Sequence, residues 1–128
     1  MAHEESKRIE LSVFKGRKAK LNRAIFQILL QLDPLTIYDI HKEVKTKKDL
    51  GHTRYANVNI RVRVLQQTGY IRKIREKKTK AGFHAALYTL TAKALLALLI
   101  TYIDPEKLLK KISEEKAQSL IGDLINAM

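Results

Sequence analysis

Apolar residues recur at helical spacing in the first and last thirds of the chain, with a different rhythm between. In "RKAKLNRAIFQILLQLDP", Leu21, Ala24, Ile25, Ile28, Leu29 and Leu32 share one helical face, and Asp33-Pro34 ends the pattern. "PLTIYDIHKEVK" predicts a second, shorter helix. Thr36 is placed to cap it, Asp39 follows three residues on, and Ile37, Ile40 and Val44 form its stripe. "KTKKDLGHTR" is a polar, glycine-containing connection. Beyond Gly69, Tyr70, Ile71 and Ile74 lead into a basic tip, "REKKTKAG", and then a second extended run from Ala86 to Leu90, which predicts a β-hairpin. Thr91 caps "AKALLALLITYI", and Asp104-Pro105 opens a further helical stretch. Ser113 interrupts it before "EEKAQSLIGDLINAM", where Ala117, Leu120, Ile121, Leu124 and Ile125 line one face.

The middle segment "NVNIRVRVLQQTGYIRKI" alternates over its first eight residues: Asn57, Asn59, Arg61 and Arg63 against Val58, Ile60, Val62 and Val64. Period two suggests a half-buried strand. At 100° per residue, however, Val58, Val62 and Leu65 fall within about 60° of one another, a usable helical stripe with Tyr55 on its edge. "QQTGY" then reads as a helix end with a left-handed Gly69, whereas a strand would run into "LQQTG" without a turn residue. The segment is therefore assigned as a helix. Ile60 and Val64 lie off the stripe, where they can meet thymine methyl groups or pack on a neighbouring element.

At 128 residues the chain suits a single domain with a real core. It contains no cysteine, which excludes disulfides, thiolate metal sites and a cysteine nucleophile. "MAHEESKRIE" lacks the apolar core of a signal peptide, and the run Ala94 to Ile100 is too short to span a bilayer, so a cytoplasmic protein is expected. His3, His41, His52 and His84 show no metal-ligand spacing, and no phosphate loop or nucleophile motif is present. No enzyme, cofactor or metal is expected. Charge changes the picture most. The net is +12, and residues 41–80 hold 13 basic against 3 acidic side chains, while residues 81–128 hold 5 of each. A basic block on a chain with a neutral tail is the footprint of a polyanion binder.

The stretches "LTIYDIHKEV", "YANVNIRVRVLQQTGYIRKI" and "ALYTLTAKALL", together covering about residues 18 to 92, resemble the winged helix-turn-helix family of DNA-binding domains, particularly its archaeal and bacterial transcription regulators. Val62-x-x-Leu65-x-x-x-Gly69-Tyr70-Ile71 resembles the end of that family's recognition helix and its passage into the wing. The resemblance implies a mainly α fold with a small β-hairpin: a winged helix-turn-helix domain plus C-terminal helices. Its expected parts are an N-terminal arm over 1–17, the DNA-binding domain over 18–91 and a helical dimerisation segment over 92–128.

It also implies duplex DNA as partner, read by a helix in the major groove. On the wheel the outward positions are Thr53, Ala56, Asn57, Ile60, Arg63 and Gln67, with Arg54, Asn59 and Arg61 on the flanks. Asparagine can pair with adenine and arginine with guanine, which singles out Asn57 and Arg63. Lys77, Lys78 and Lys80 at the wing tip, with Arg72 and Arg75, are placed for phosphates or a minor groove. Lys45, Lys47 and Lys48 suit phosphates on the other flank, and Arg17, Lys18 and Lys20 are weaker candidates. The resemblance also implies a homodimer through the leucine-rich tail, at Leu95, Leu98, Leu99, Leu120, Ile121, Leu124 and Ile125; the alternative, that these helices fold back on their own domain, is stronger for Ala92–Ile103 than for Ala117–Met128. Two alternatives remain: a winged-helix protein–protein assembly module, and a sequence-tolerant architectural nucleic-acid binder. Only Tyr55 and Tyr70 supply aromatic rings to the basic block, which argues against single-strand recognition by stacking.

Overall fold

The helical periodicity of the first third folds as α1 (Ala19–Leu32) and α2 (Ile37–Val44). The structure is a computed structural model, and its described residues are 11–127. Positions 1–10 of the expected arm, His3 among them, and Met128 of the expected dimerisation segment lie outside the described residues. α1 turns Ile25, Phe26, Ile28 and Leu29 into the core, and burying each such side chain contributes about 1.5–3 kcal/mol. Its last turn closes on the Asp33 N–H, which donates to the Leu29 carbonyl at 3.1 Å. α2 starts as its sequence predicts: Thr36 Oγ1 accepts from the Asp39 N–H at 3.1 Å.

The alternating segment is a helix, α3 (Tyr55–Gln67), which buries Val58, Val62 and Leu65 against α1 and α2. Tertiary burial of that stripe outweighs the β propensity of its valines and isoleucine. The end of α3 is a Schellman motif. The Tyr70 N–H donates to the Leu65 carbonyl at 2.8 Å and the Gly69 N–H to the Gln66 carbonyl at 3.1 Å, with Gly69 at φ +89°.

β1 (Ile71–Lys78) and β2 (His84–Leu90) pair antiparallel from Ile71↔Leu90 to Lys78↔His84. The hairpin is longer than the sequence pattern predicts. Arg75–Lys78, expected in the tip, are strand residues, and the turn shrinks to 79–83. Main-chain pairing carries these exposed positions without any apolar alternation to announce it. The register slips between Lys73 and Arg75, leaving Ile74 as an extra residue that bends β1. A further bridge, absent from the sequence reading, ties β2 to the α1–α2 connection: Leu35 and Tyr88 exchange two backbone hydrogen bonds at 2.9 and 3.1 Å.

Thr91 couples the hairpin to α4 (Ala92–Tyr102). Its Oγ1 accepts from the Ala94 N–H at 3.2 Å and donates to the Gly69 carbonyl at 2.6 Å. α5 (Pro105–Lys111) and α6 (Glu114–Ala127) follow, separated at Ser113 as the sequence predicts. Before α1, a 3-10 turn over Ser12–Phe14 buries Val13 and Phe14, and the Phe14 ring meets Phe26 edge-on at 5.0 Å. These residues, expected in an arm, are part of the core because their two apolar side chains cover the open face of α1. Among the described residues, no helix is long and apolar enough to cross a membrane.

Candidate nucleic-acid interface

The start of α3 is held by contacts from α2 and from the connection before it. Asp49 adopts φ +67° in the connection after α2 and pairs with Lys20 of α1 at 3.0 Å. His41 Nε2 donates to the Thr53 carbonyl at 2.8 Å, and its ring meets Tyr55 edge-on at 5.7 Å. Arg54 then takes the N-cap position with extended backbone, and its side chain makes no cap hydrogen bond. None of these contacts uses Arg54, Asn57, Ile60, Arg63 or Gln67, and all five side chains are exposed, with Ile60 at 55%. Thr53 and Asn59 are half-buried.

Arg63 and Asn59 stand one helical turn apart, and Arg63 Nε donates to Asn59 Oδ1 at 3.3 Å. Both line a cleft of about 310 Å³ with Tyr55, the start of α2 (Thr36, Tyr38) and the start of β2 (His84, Ala86). The cleft thus joins α3, α2 and the wing on one side of the molecule. Tyr38 and His84 belong to it but were not singled out from the sequence. The exposure of Tyr38 off an otherwise apolar stripe is the signal that marks it.

Arg61 departs from its expected place. Its Nε is buried without a hydrogen-bond partner among the described residues. The side chain lines a separate cavity of about 350 Å³ with Asn22, Val64, Tyr70 and Lys93. Two residues along a helix amount to about 200° of rotation, so Arg61 and Arg63 occupy opposite flanks despite sharing one side of the sequence alternation. Val64, half-buried, lines this cavity too and so shares its surroundings with Arg61.

Along the wing, Arg72, Arg75, Lys77, Lys78 and Lys80 are all exposed. Lys73 and Glu76 pair at 3.0 Å. The hydrogen bond and charge of Lys73 hold the Glu76 carboxyl below its ordinary range, so this one acid offsets a neighbouring lysine and leaves the other cations unpaired among the described residues. Lys45 and Lys48 are exposed on the α2–α3 connection, while Lys47 is half-buried.

The tail residues occupy two surfaces. Leu95, Leu98 and Leu99 of α4, with Leu30 of α1, Tyr102 and Ile103, line an apolar groove of about 490 Å³. Leu98 is half-buried on its own core, whereas Leu95 and Leu99 are exposed. Leu120, Ile121, Leu124 and Ile125 stand exposed on α6, which buries no described residue.

No protein-family model and no curated protein matches the chain. Among solved structures it is similar to TA0346, a candidate transcriptional regulator from Thermoplasma acidophilum. There the TM-score is 0.54, with 16% identity, over 86% of this chain and 97% of that one. It is similar, also at TM-score 0.54 and with 21% identity, to Bacillus subtilis PadR, whose structure is a complex with operator DNA; the match covers 87% of this chain and 61% of that one. At these identities the likeness is one of fold. The chain is a winged helix: α1 to α3, the hairpin as wing, and helices after it.

Proposed function

We propose that this winged helix is a double-stranded DNA-binding transcription regulator of the cytoplasm, acting as a homodimer. α3 enters the major groove, with Asn57 and Arg63 as base readers and Arg54, Asn59, Ile60 and Gln67 around them. The wing lies on the backbone and the flanking minor groove through Arg72, Arg75, Lys77, Lys78 and Lys80. Lys45 and Lys48 meet phosphates on the other flank. The observation that carries the reading is the shared cleft: Arg63 and Asn59 of α3 and His84 of the wing line one hollow, so the reading helix and the basic hairpin serve the same face. That PadR, similar in fold, has been seen with operator DNA supports the choice of duplex as ligand.

Dimerisation is assigned to the exposed α6 face and the α1–α4 groove. Both set exposed apolar side chains side by side, the kind of surface that a protein partner covers.

Selection from a pool of random duplexes at about 0.15 M salt tests the reading. An enriched, inverted pair of half-sites is the expected outcome, its spacing set by the two α3 helices. Arg63→Ala should then lower affinity for the preferred site by about 1–3 kcal/mol while leaving random duplex nearly unchanged. Equal losses on both would remove Arg63 from base reading. Retention without enrichment would assign the sequence-tolerant architectural role instead, and no retention would point to a protein partner.

A further inference from the structure

The wing ends in an aromatic ring that nothing above employs. Phe83 is 73% exposed, the highest value among the exposed large hydrophobic side chains of the described residues. It sits at the close of a tightly tied turn. The Thr79 N–H donates to the Phe83 carbonyl at 2.7 Å, the Phe83 N–H donates to Thr79 Oγ1 at 3.2 Å, and the Gly82 N–H donates to the Thr79 carbonyl at 3.0 Å. Gly82, at φ +89°, supplies the left-handed step that this closure needs. The ring therefore projects from a backbone fixed on both sides. Its neighbours in the turn, Ala81 and Gly82, are too small to cover it, and the same hairpin end carries the exposed cations Lys77, Lys78 and Lys80.

A single exposed apolar residue is ordinary on a protein surface. Phe83 differs in its setting. The next residue, His84, lines the cleft that also holds Arg63 and Asn59, so the wing tip extends from the same face that α3 presents. A cationic hairpin placed along a minor groove brings its tip to the base edges, and an apolar side chain there has base stacks rather than water to enter.

We propose that Phe83 is a wedge that enters the minor groove beside the α3 site, partly unstacks one base step and bends the duplex toward the major groove. This rests on the DNA-binding reading above and adds a specificity element to it. Pyrimidine–purine steps unstack most readily, so a TA or CA step is favoured where the wing tip lands, at a position that no hydrogen bond reads. A phenylalanine on a lysine-rich hairpin end would also suit an anionic membrane surface. The duplex is favoured because α3 and the strand that follows Phe83 line one cleft.

The test uses the full-length protein and duplexes carrying 2-aminopurine at each position flanking the α3 site in turn, with end-to-end energy transfer to report bending. Wild type should raise 2-aminopurine emission at one flanking step and shorten the end-to-end distance. Phe83→Ala should abolish both signals and weaken binding about tenfold. Phe83→Leu, which keeps an apolar wedge, should retain most of both. Phe83 is exposed, so all three proteins should melt alike. Duplex binding by wild type with no rise in emission and no bend, or with signals that Phe83→Ala preserves, overturns the wedge and leaves the DNA reading standing. Absence of duplex binding at low salt overturns both. Phe83-dependent retention on vesicles containing phosphatidylserine, with no unstacking in duplex, overturns the wedge in favour of a lipid surface.

Discussion

Gly69 joins α3 to the wing through one backbone conformation. At φ +89° it ends α3, receives the Thr91 hydroxyl on its carbonyl at 2.6 Å and hands the chain to β1. A Cβ there would meet only the flexible end of Lys93, at 3.4 Å, so the penalty for a larger residue lies in the backbone. Gly69→Ala should lower stability by roughly 1–2 kcal/mol, read as a lower urea midpoint at unchanged slope. A shift of no more than a few tenths would mean that the junction relaxes into another turn. This residue was legible because "QQTGY" places a glycine where helical spacing stops. The fates of Arg61 and Arg63 were legible only in part. The wheel gives their separation, but the neighbours of each flank, Asn22 of α1 and His84 of β2, come from distant parts of the chain.

At the scale of elements, the helices could be read and the wing only partly. α1, α2 and α3 each bury a continuous stripe, and burial at a period of 3.6 leaves a trace in sequence. In β1 only Ile71 is buried and Ile74 half-buried, so most of the strand carries no alternation, and its bulge and true length follow from backbone pairing alone. The same exposure lets the charge of the wing be tested separately from α3. Replacing Lys77 and Lys78 together by Ala should weaken binding to preferred and random duplexes alike. The plot of log affinity against log salt should flatten by roughly two units, since each phosphate contact contributes about 0.9. An unchanged slope would place these lysines off the DNA. A loss confined to the preferred site would make them readers of sequence, which a point charge on a long stem is poorly suited to be.

For the whole molecule, the winged-helix core accounts for its own burial, but the tail does not. α4 buries Ala94 and Ala97 and no other residue fully, and α6 buries none, yet α6 keeps Leu120, Ile121, Leu124 and Ile125 on one face. Periodicity reveals such a face but not its cover, because the complementary residues of any partner are not written in this sequence. If that cover is another copy, Leu120→Glu combined with Leu124→Glu should convert a species of twice the 14.7 kDa chain mass into one of that mass on sedimentation. Thermal stability of the winged-helix core should change little, because neither leucine packs in it. Affinity for a single half-site should be kept, whereas affinity for the paired site should fall by about a hundredfold, the part of binding that linkage of two reading helices supplies. A variant that stays dimeric would move the interface to the α1–α4 groove alone. A wild type that sediments as a monomer at all concentrations would leave both apolar faces to a different protein, and would turn the paired half-sites expected from selection into single ones.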